Sequence, residues 1–170
     1  GGSGTITYQW QSSTDNVNFT DISGASAAGY SPGSLSVTTY YRRKVADGVT
    51  EVISNTVTVT VFELPLLGVI PPNSTIYPGS GGSVLEAFGA STYSWSPATG
   101  LSATTGAIVT ATPTVTTIYT VTGTSEQGCS TTATSRVTVG PALVGGTVVA
   151  NQAICTGTAP AALTSTRGAT

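Results

Sequence analysis

Alternation of large apolar and small polar residues is the strongest pattern in this chain. In two short stretches, Thr5–Gln11 and Thr92–Ser96, large apolar residues alternate with Thr, Gln or Ser. Side chains two apart in a β-strand lie on the same face of the sheet, so each stretch predicts a strand with one aromatic and one polar face. The two tryptophans, Trp10 and Trp95, each fall in one of these strands. We therefore expect each tryptophan to be a central core residue of its own β-sandwich module.

The rest of the chain continues this pattern as short strands separated by turn residues. The segment Glu51–Phe62 alternates Val and Thr in its second half, which predicts a half-buried strand. Asp47-Gly48, just before it, is a strong hairpin signal, and no stretch shows a helical period. The predicted fold class is therefore all-β, built from tandem immunoglobulin-like β-sandwich modules in an elongated arrangement. The other main predicted strands are Thr5–Ser12, Asn18–Ile22, Thr38–Ala46, Val69–Tyr77, Ser83–Ala90, Ala107–Thr112, Thr116–Thr124 and Cys129–Val139.

The strand pattern divides the chain into three parts, 1–62, 63–141 and 142–170. Only the middle part has the strand complement of a whole immunoglobulin-like module. The first part begins directly at its tryptophan strand. The last part offers two strands, Thr147–Ile154 and Ala161–Ser165, which bury too little to be stable alone. We therefore expect the 170 residues to be one period of a tandem array, in which the tail of one copy completes the first module of the following copy.

Alternation also assigns the core residues and one charged surface. In Arg42-Arg43-Lys44, it places Arg42 and Lys44 on one face and Arg43 on the other. We interpret the first face as solvated, with the long stems covering apolar surface. The alternative is that Arg42 and Lys44 contact an acidic glycan or a neighbouring module. The predicted core residues are Tyr8, Trp10, Tyr41, Val57, Val59, Tyr93, Trp95, Tyr119, Val137 and Val139.

Charge is scarce. Charged residues make up 7% of the chain and the net charge is −2, whereas soluble domains usually carry about 25% charged residues. Five basic residues cannot neutralise a phosphate backbone, so we predict no nucleic-acid partner. No apolar run reaches the roughly 18 residues of a membrane-spanning helix. A charge-poor chain whose exposed strand positions are Thr and Ser is typical of a secreted all-β protein.

No group of residues predicts catalysis. The chain lacks histidine, the commonest acid–base group and metal ligand, and its seven carboxylates are scattered. Oxygen donors alternate in 15–18, DNVN, but this segment lacks the further acidic ligands and the glycine of a recognised calcium loop. We therefore predict no enzymatic activity, no cofactor and no metal. The two cysteines, Cys129 and Cys155, fall in different predicted modules, so we expect two thiols rather than a disulfide.

Long phrases of the sequence resemble a known family of repeat modules. They are YQWQSSTDNVNFTDISGAS, YSPGSLSVTTYYRRKV, SNTVTVTV and YSWSPATGLSATTGAIVTATPTVTTIYTVTGTSEQGCSTTATSRVTV, and the phrase GGTVVANQAICTGTAPAALTS resembles the start of a further module. The family is the tandem immunoglobulin-like modules of giant Bacteroidota surface adhesins, which include gliding-motility adhesins and other substrates of the type IX secretion system. Such modules often carry one early and one late cysteine. Here Cys129 is the late cysteine of the second module, but Tyr77 occupies the early position. Cys155 is an early cysteine with no late partner in Asp47–Glu51. The resemblance therefore implies that core packing holds these modules together.

The resemblance implies a non-catalytic repeat segment of a secreted or cell-surface bacterial adhesin. It would act as a stalk and a multivalent adhesion surface, contacting neighbouring repeats head to tail, with surface polysaccharide as a candidate ligand. The alternative is a carbohydrate-binding or spacer module of a secreted polysaccharide-degrading enzyme. Exposed aromatic residues in a flat row would favour that alternative, whereas buried Trp10 and Trp95 would count against it.

Overall fold

The computed structural model describes residues 4–142, 144–148 and 151–165, and its regular elements are all β-strands. The predicted all-β fold class is confirmed. The chain forms two compact units, Gly1–Glu63 (unit 1) and Leu64–Thr170 (unit 2). In the part of the chain that the structure describes, no helix has the length and hydropathy to cross a membrane.

Unit 1 contains one five-stranded sheet. In it β1 pairs antiparallel with β2 and β3, and β3 pairs in turn with β4 and β5. Trp10 lies opposite Arg43, so the alternation of β3 places Tyr41 and Arg43 on the tryptophan face and Arg42 on the other. The strands are β1 (Thr7–Ser13), β2 (Thr20–Asp21), β3 (Thr39–Ala46), β4 (Glu51–Ile53) and β5 (Val57–Val59).

The single strand predicted over Glu51–Phe62 is interrupted. Its pairing with β3 shifts by one residue between Lys44↔Ile53 and Tyr41↔Val57, which is the signature of a β-bulge. Ser54 lies at the shift, where its hydroxyl accepts the Arg43 N–H at 3.0 Å and its own N–H reaches the Arg43 carbonyl at 3.0 Å. The hydroxyl thus satisfies a backbone group that the extra residue would otherwise leave unpaired.

Unit 2 is a sandwich of two sheets. One sheet has the order β10-β8-β6 and the other the order β7-β12-β11-β9. β7 runs parallel to β12, and the other pairs are antiparallel. The strands are β6 (Gly68–Ile70), β7 (Asn73–Ile76), β8 (Ser83–Phe88), β9 (Thr92–Ser96), β10 (Ile108–Ala111), β11 (Thr117–Thr124) and β12 (Ser130–Val139).

The core of unit 2 is formed by both sheets around Trp95, which is 4% exposed. The indole Nε1–H donates to the Gly106 carbonyl at 2.9 Å. The Tyr119 hydroxyl donates to the Thr99 carbonyl at 2.7 Å, and burial raises the pKa of this tyrosine. Both polar ends are therefore satisfied while the rings are removed from water.

The tail beyond β12 contains less strand than predicted. In place of the strands Thr147–Ile154 and Ala161–Ser165, the described residues form one isolated bridge, Val148↔Ser165. The Gln152 side chain also spans this hairpin. Its Nε2 donates to the Ala161 carbonyl at 3.0 Å, and its Oε1 accepts the Ala161 N–H at 2.7 Å. The described tail residues are exposed, so the hairpin has no apolar layer of its own.

The turn between β8 and β9 requires glycine. Gly89 has a φ of 92°, and a Cβ there would lie 2.0 Å from the Leu66 carbonyl oxygen.

We expect Gly89→Ala to lower the free energy of unfolding of unit 2 by about 2–4 kcal/mol, because it combines a left-handed backbone with a steric clash. Gly128→Ala is the matched control, since Gly128 has a φ of 84° but open space around it. We expect that control to cost about 1 kcal/mol. Denaturant unfolding of a Trp10→Phe background, followed by Trp95 fluorescence, measures both. Equal losses would show that the clash is relieved.

Candidate functional site

The residues predicted for the core divide by unit. In unit 2, Trp95, Tyr119 and Val137 are buried, and Tyr93 and Val139 are partly buried against the same cluster. In unit 1, Tyr41 is buried, whereas Tyr8, Trp10 and Val59 are only half-buried.

Val57 is a correction to the prediction, because its side chain is 55% exposed. Alternation assigns the correct face, since Val57 lies opposite Tyr41 on the tryptophan face. That face is not covered at Val57 by any of the described residues of unit 1, so position on the face did not bring burial.

The tryptophan face of unit 1 forms the main candidate site, and we call it the aromatic face. Tyr30, from the loop before β3, lies between Trp10 and Tyr41, with ring centroids 5.9 Å from each. Together with Arg43 and Val57 these rings line a pocket of about 430 Å³. The ring planes are tilted by 33° and 44° to one another, so they form a concave cluster rather than a flat row.

A loop, rather than a second sheet, covers part of the aromatic face. The Trp10 N–H donates to the Ala25 carbonyl at 2.9 Å, and the indole Nε1–H donates to the Ala27 carbonyl at 3.1 Å. The Arg43 guanidinium donates to the Ala28 carbonyl. These bonds hold the loop on the tryptophan, but Val52 and Val57 stay exposed further along the face.

Arg43 is the single cation of the aromatic face among the described residues. Its guanidinium carbon lies 4.6 Å from the Tyr8 ring centroid and 5.7 Å from that of Trp10. Such cation–π contacts are favourable when the site is partly desolvated. The Arg43 Nε is buried, yet it lacks a hydrogen-bond partner among the described residues. A buried donor without an acceptor is costly, so the aromatic face still has room for one hydrogen-bond acceptor.

The opposite face carries Arg42 and Lys44, the predicted candidate partner contacts, and here both cations are engaged internally. The Arg42 Nε–H donates to Gln11 Oε1 at 2.7 Å, and its guanidinium lies 3.9 Å from the Phe19 ring centroid. Lys44 Nζ lies 3.8 Å from Asp21 and 3.6 Å from Glu51. Surface ion pairs of this kind add little stability, but they cancel the local positive charge. The arrangement therefore gives an acidic ligand little electrostatic attraction.

Asp15 organises a turn instead of a metal site. Its Oδ1 accepts the Ser13 hydroxyl at 2.7 Å and the N–H groups of Val17 and Asn18 at 2.8 and 2.7 Å. These bonds, with that of Ser13 the largest contribution, hold the pKa of the Asp15 carboxyl well below its usual range. Over the residues described, no group of three or more His, Cys, Asp and Glu residues is placed to hold a metal ion. Cys129 is half-buried beside the β11–β12 hairpin, and Cys155 is exposed in the tail.

The first and last strands of the four-stranded sheet in unit 2 form a second structural site, which we call the terminal strand pair. β7 and β12 lie side by side in parallel, with the register Asn73↔Arg136 to Ile76↔Val139. Flanking bonds extend the ladder at both ends, Arg136 N–H to Pro72 O at 3.0 Å and Gly140 N–H to Ile76 O at 2.8 Å. The hydroxyl of Ser135, a fully buried residue, also donates to Pro71 O at 2.7 Å. Alternation along the chain does not predict this pairing, because parallel partners are distant in sequence.

Comparison with known proteins gives a partial match. Residues 1–63, the residues of unit 1, match the profile of a family described as a domain of unknown function (DUF8696). No curated protein matches the chain. Among solved structures, the crystal structure of human CDH23 EC21-23 matches with 13% sequence identity and a TM-score of 0.33. That match covers 96% of this chain and 74% of the other. So weak a likeness carries no argument about fold or function.

The Asp15 turn predicts an acid-sensitive unit 1. The lowered folded-state pKa lies below the unfolded value of about 3.9, so the charged carboxylate stabilises unit 1 above about pH 4. That stabilisation is lost as the pH falls through the folded-state pKa. We expect Asp15→Asn to unfold more readily than the parent at pH 7 and the difference to shrink steadily below pH 4.

Urea unfolding of a Trp95→Phe background, followed by Trp10 fluorescence from pH 7 to pH 2, measures this dependence. Thr14→Ala, a neutral change at the neighbouring exposed position, is the control and should leave the pH dependence unaltered. A constant difference between Asp15→Asn and the parent at every pH would contradict the assignment.

Proposed function

We propose that this chain is a non-catalytic, load-bearing repeat segment of a bacterial extracellular surface protein of the giant tandem-repeat adhesin kind. The terminal strand pair of unit 2 is the observation that carries the proposal. In a parallel pair, the start of β7 and the end of β12 lie at opposite ends. Tension applied just before β7 and just after β12 therefore pulls the two strands past each other, and β6, which precedes β7, carries the load first through its pairing with β8.

This geometry resists force better than most strand pairs. Sliding two strands along their axis strains all hydrogen bonds of the ladder together, whereas pulling a pair apart from one end breaks them one after another. The bond from the buried Ser135 to the half-buried Pro71 adds a contact that is partly shielded from water. A stalk that holds an adhesive surface away from the cell needs this resistance.

The surface chemistry and the sequence resemblance support the location. Exposed strand positions carry Thr and Ser, and the chain has a net charge of only −2, as in secreted β-proteins. The phrases shared with gliding-adhesin modules support a Bacteroidota cell surface and export by the type IX system. In such a stalk the partners are neighbouring repeats, head to tail, and many copies would multiply weak contacts with a surface polysaccharide.

A carbohydrate-binding or spacer module of a secreted enzyme is the second candidate, favoured by the aromatic pocket of unit 1. The pocket offers Trp10, Tyr30 and Tyr41, but their planes are tilted by 33° and 44°. Stacking on a long polysaccharide requires coplanar rings, and Trp95, the other indole, is buried in a core. The concave cluster is therefore better suited to being covered by protein.

Single-molecule force spectroscopy tests the load-bearing function. In a Cys129→Ser, Cys155→Ser background, handles at Pro72→Cys, directly before β7, and at Pro141→Cys pull the terminal strand pair in shear. Handles at Pro78→Cys and Pro141→Cys pull from the same end of both strands, because Ile76 and Val139 are level with each other. We expect the unfolding force of unit 2 to be severalfold higher in the first geometry, since forced unfolding depends on the barrier that the loaded bonds supply.

The two geometries share one protein and one core, so each is the control for the other. Ser135→Ala should lower the force in the shear geometry and leave the peeling geometry nearly unchanged, because the bond to Pro71 lies at the far end of the pair. Equal forces in the two geometries would refute the load-bearing function.

A further inference from the structure

The two units contain the same tryptophan-centred sheet, once covered and once open. In unit 2, Trp95 lies opposite Val121, and Tyr119 lies opposite Ser135. In unit 1, the corresponding pairs are Trp10 with Arg43 and Tyr41 with Val57. The same cross-strand pattern therefore places β1, β3 and β5 where unit 2 has β9, β11 and β12.

Burial differs at these equivalent positions. Val121, Tyr119 and Ser135 are fully buried, because β6, β7 and β8 cover or flank them. In unit 1, Tyr41 is buried like Tyr119, but Arg43 is only half-buried and Val57 is 55% exposed. Among the described residues of unit 1, no strand takes the part of β6, β7 or β8.

The tail repeats the segment that does the covering in unit 2. Residues 73–85 and 151–163 share the spacing Asn-x-x-Ile-x-x-Gly-(Ser/Thr)-x-x-x-x-Leu. The turn is also the same. Gly79 and Gly157 have φ values of 85° and 87°, and Ser80 N–H to Tyr77 O at 2.9 Å corresponds to Thr158 N–H to Cys155 O at 3.1 Å.

The apolar members of this pattern are buried in unit 2 and exposed in the tail. Ile76 and Leu85 belong to the unit 2 core. Their counterparts Ile154 and Leu163 are 53% and 70% exposed. The tail therefore offers the apolar side chains that the aromatic face lacks, and residues 151–165 carry no charge that burial would penalise.

We propose that residues 151–165 of a second copy of this chain dock on unit 1 and complete its sandwich as residues 73–87 complete unit 2. The strand equivalent to β7 adds in parallel to the second edge of β5, and the strand equivalent to β8 covers the aromatic face. The face that the incoming strand would cover also contains the buried Arg43 Nε, which lacks an acceptor among the described residues.

Chain order identifies a second copy as the donor. In unit 2, the covering strands precede the tryptophan strand β9. The tail of one copy followed by unit 1 of the next reproduces that order, whereas within one copy the tail comes after unit 1. The inference does not depend on the load-bearing function, because that function concerns the terminal strand pair of unit 2.

Disulfide trapping tests the register. The pair Thr75↔Thr138 in unit 2 corresponds to Ala153 and Thr60, so Ala153→Cys and Thr60→Cys should lie within disulfide distance across two copies. In a Cys129→Ser, Cys155→Ser background, we expect oxidation of the double variant to give a ladder of disulfide-linked oligomers. Ala153→Cys with Thr56→Cys, four residues before Thr60 and therefore out of register, is the matched control and should give no disulfide-linked oligomers. No ladder, or a disulfide closed within one chain, would overturn the proposal.

Mixing two variant chains tests whether the tail of a second copy occupies the aromatic face, and this test needs no introduced cysteines. Val57→Asp damages the aromatic face and Leu163→Asp damages the tail, and both positions are exposed, so each unit should still fold. By sedimentation we expect the parent to self-associate with rising concentration and each variant to associate at least about tenfold more weakly. An equimolar mixture should form a one-to-one heterodimer and nothing larger, because only one face and one tail remain intact.

The competing occupant is a glycan. Cello- and xylo-oligosaccharides should leave the Trp10 fluorescence of the Trp95→Phe variant unchanged. Quenching by either sugar, together with a monomeric parent at all concentrations, would overturn the proposal in favour of a carbohydrate site. If the parent does not self-associate, the docking proposal fails, but the expected result of the shear experiment on unit 2 does not change.

Discussion

Enclosure of an indole between two β-layers is the interaction on which the structure depends. Trp95 is enclosed by a second sheet, and around it the neighbouring side chains of both sheets are removed from water. Trp10 has the same strand context, but among the described residues of unit 1 it is covered by a loop alone, and Val52 and Val57 on the same face remain exposed. Because apolar burial is the main source of folding free energy, the two units differ in what holds them. Unit 2 rests on a packed core, and unit 1 on hydrogen bonds and stacked rings.

Polar contacts take over in unit 1 where apolar burial is incomplete. Arg43 is stacked on aromatic rings and bonded to the loop, and Arg42 is stacked on Phe19 and bonded to Gln11. Lys44 lies between two carboxylates. Charged residues make up 7% of the chain, and its basic cluster, Arg42-Arg43-Lys44, is engaged in internal contacts. These contacts leave little positive charge to attract a ligand from solution. Recognition by unit 1 therefore has to use apolar surface or backbone groups.

The load-bearing function and the docking of the tail both concern one position in the sheet, the edge next to the last strand of each unit. In unit 2 that place is taken by β7, and its parallel pairing with β12 is the basis of the proposed load-bearing function. In unit 1 the equivalent edge, that of β5, is open among the described residues. If a tail segment fills it, the same load-bearing geometry is created at the junction of two copies. Association and mechanical strength would then have one structural origin.

The sequence by itself determined the long strands of both units and the face that each of their side chains occupies, but not the division of Glu51–Phe62 and Val69–Tyr77 into two strands each. Thr92–Ser96 forms a strand over the predicted residues, and β3 begins one residue from its predicted start. The opposite faces of Arg42 and Arg43 also follow from alternation alone. These features are local, because the pleat of a strand fixes the direction of each side chain from its neighbours.

Tertiary structure alone decided what covers each face. Alternation treats Val57 and Val137 alike, yet one is exposed and the other buried, since burial depends on a second surface that the strand does not contain. The bulge at Ser54, the capture of Lys44 by Asp21 and Glu51, and the parallel pairing of β7 with β12 likewise depend on partners distant in the chain. Pairing register and layer contacts are properties of two segments together, so no single-strand pattern could reveal them.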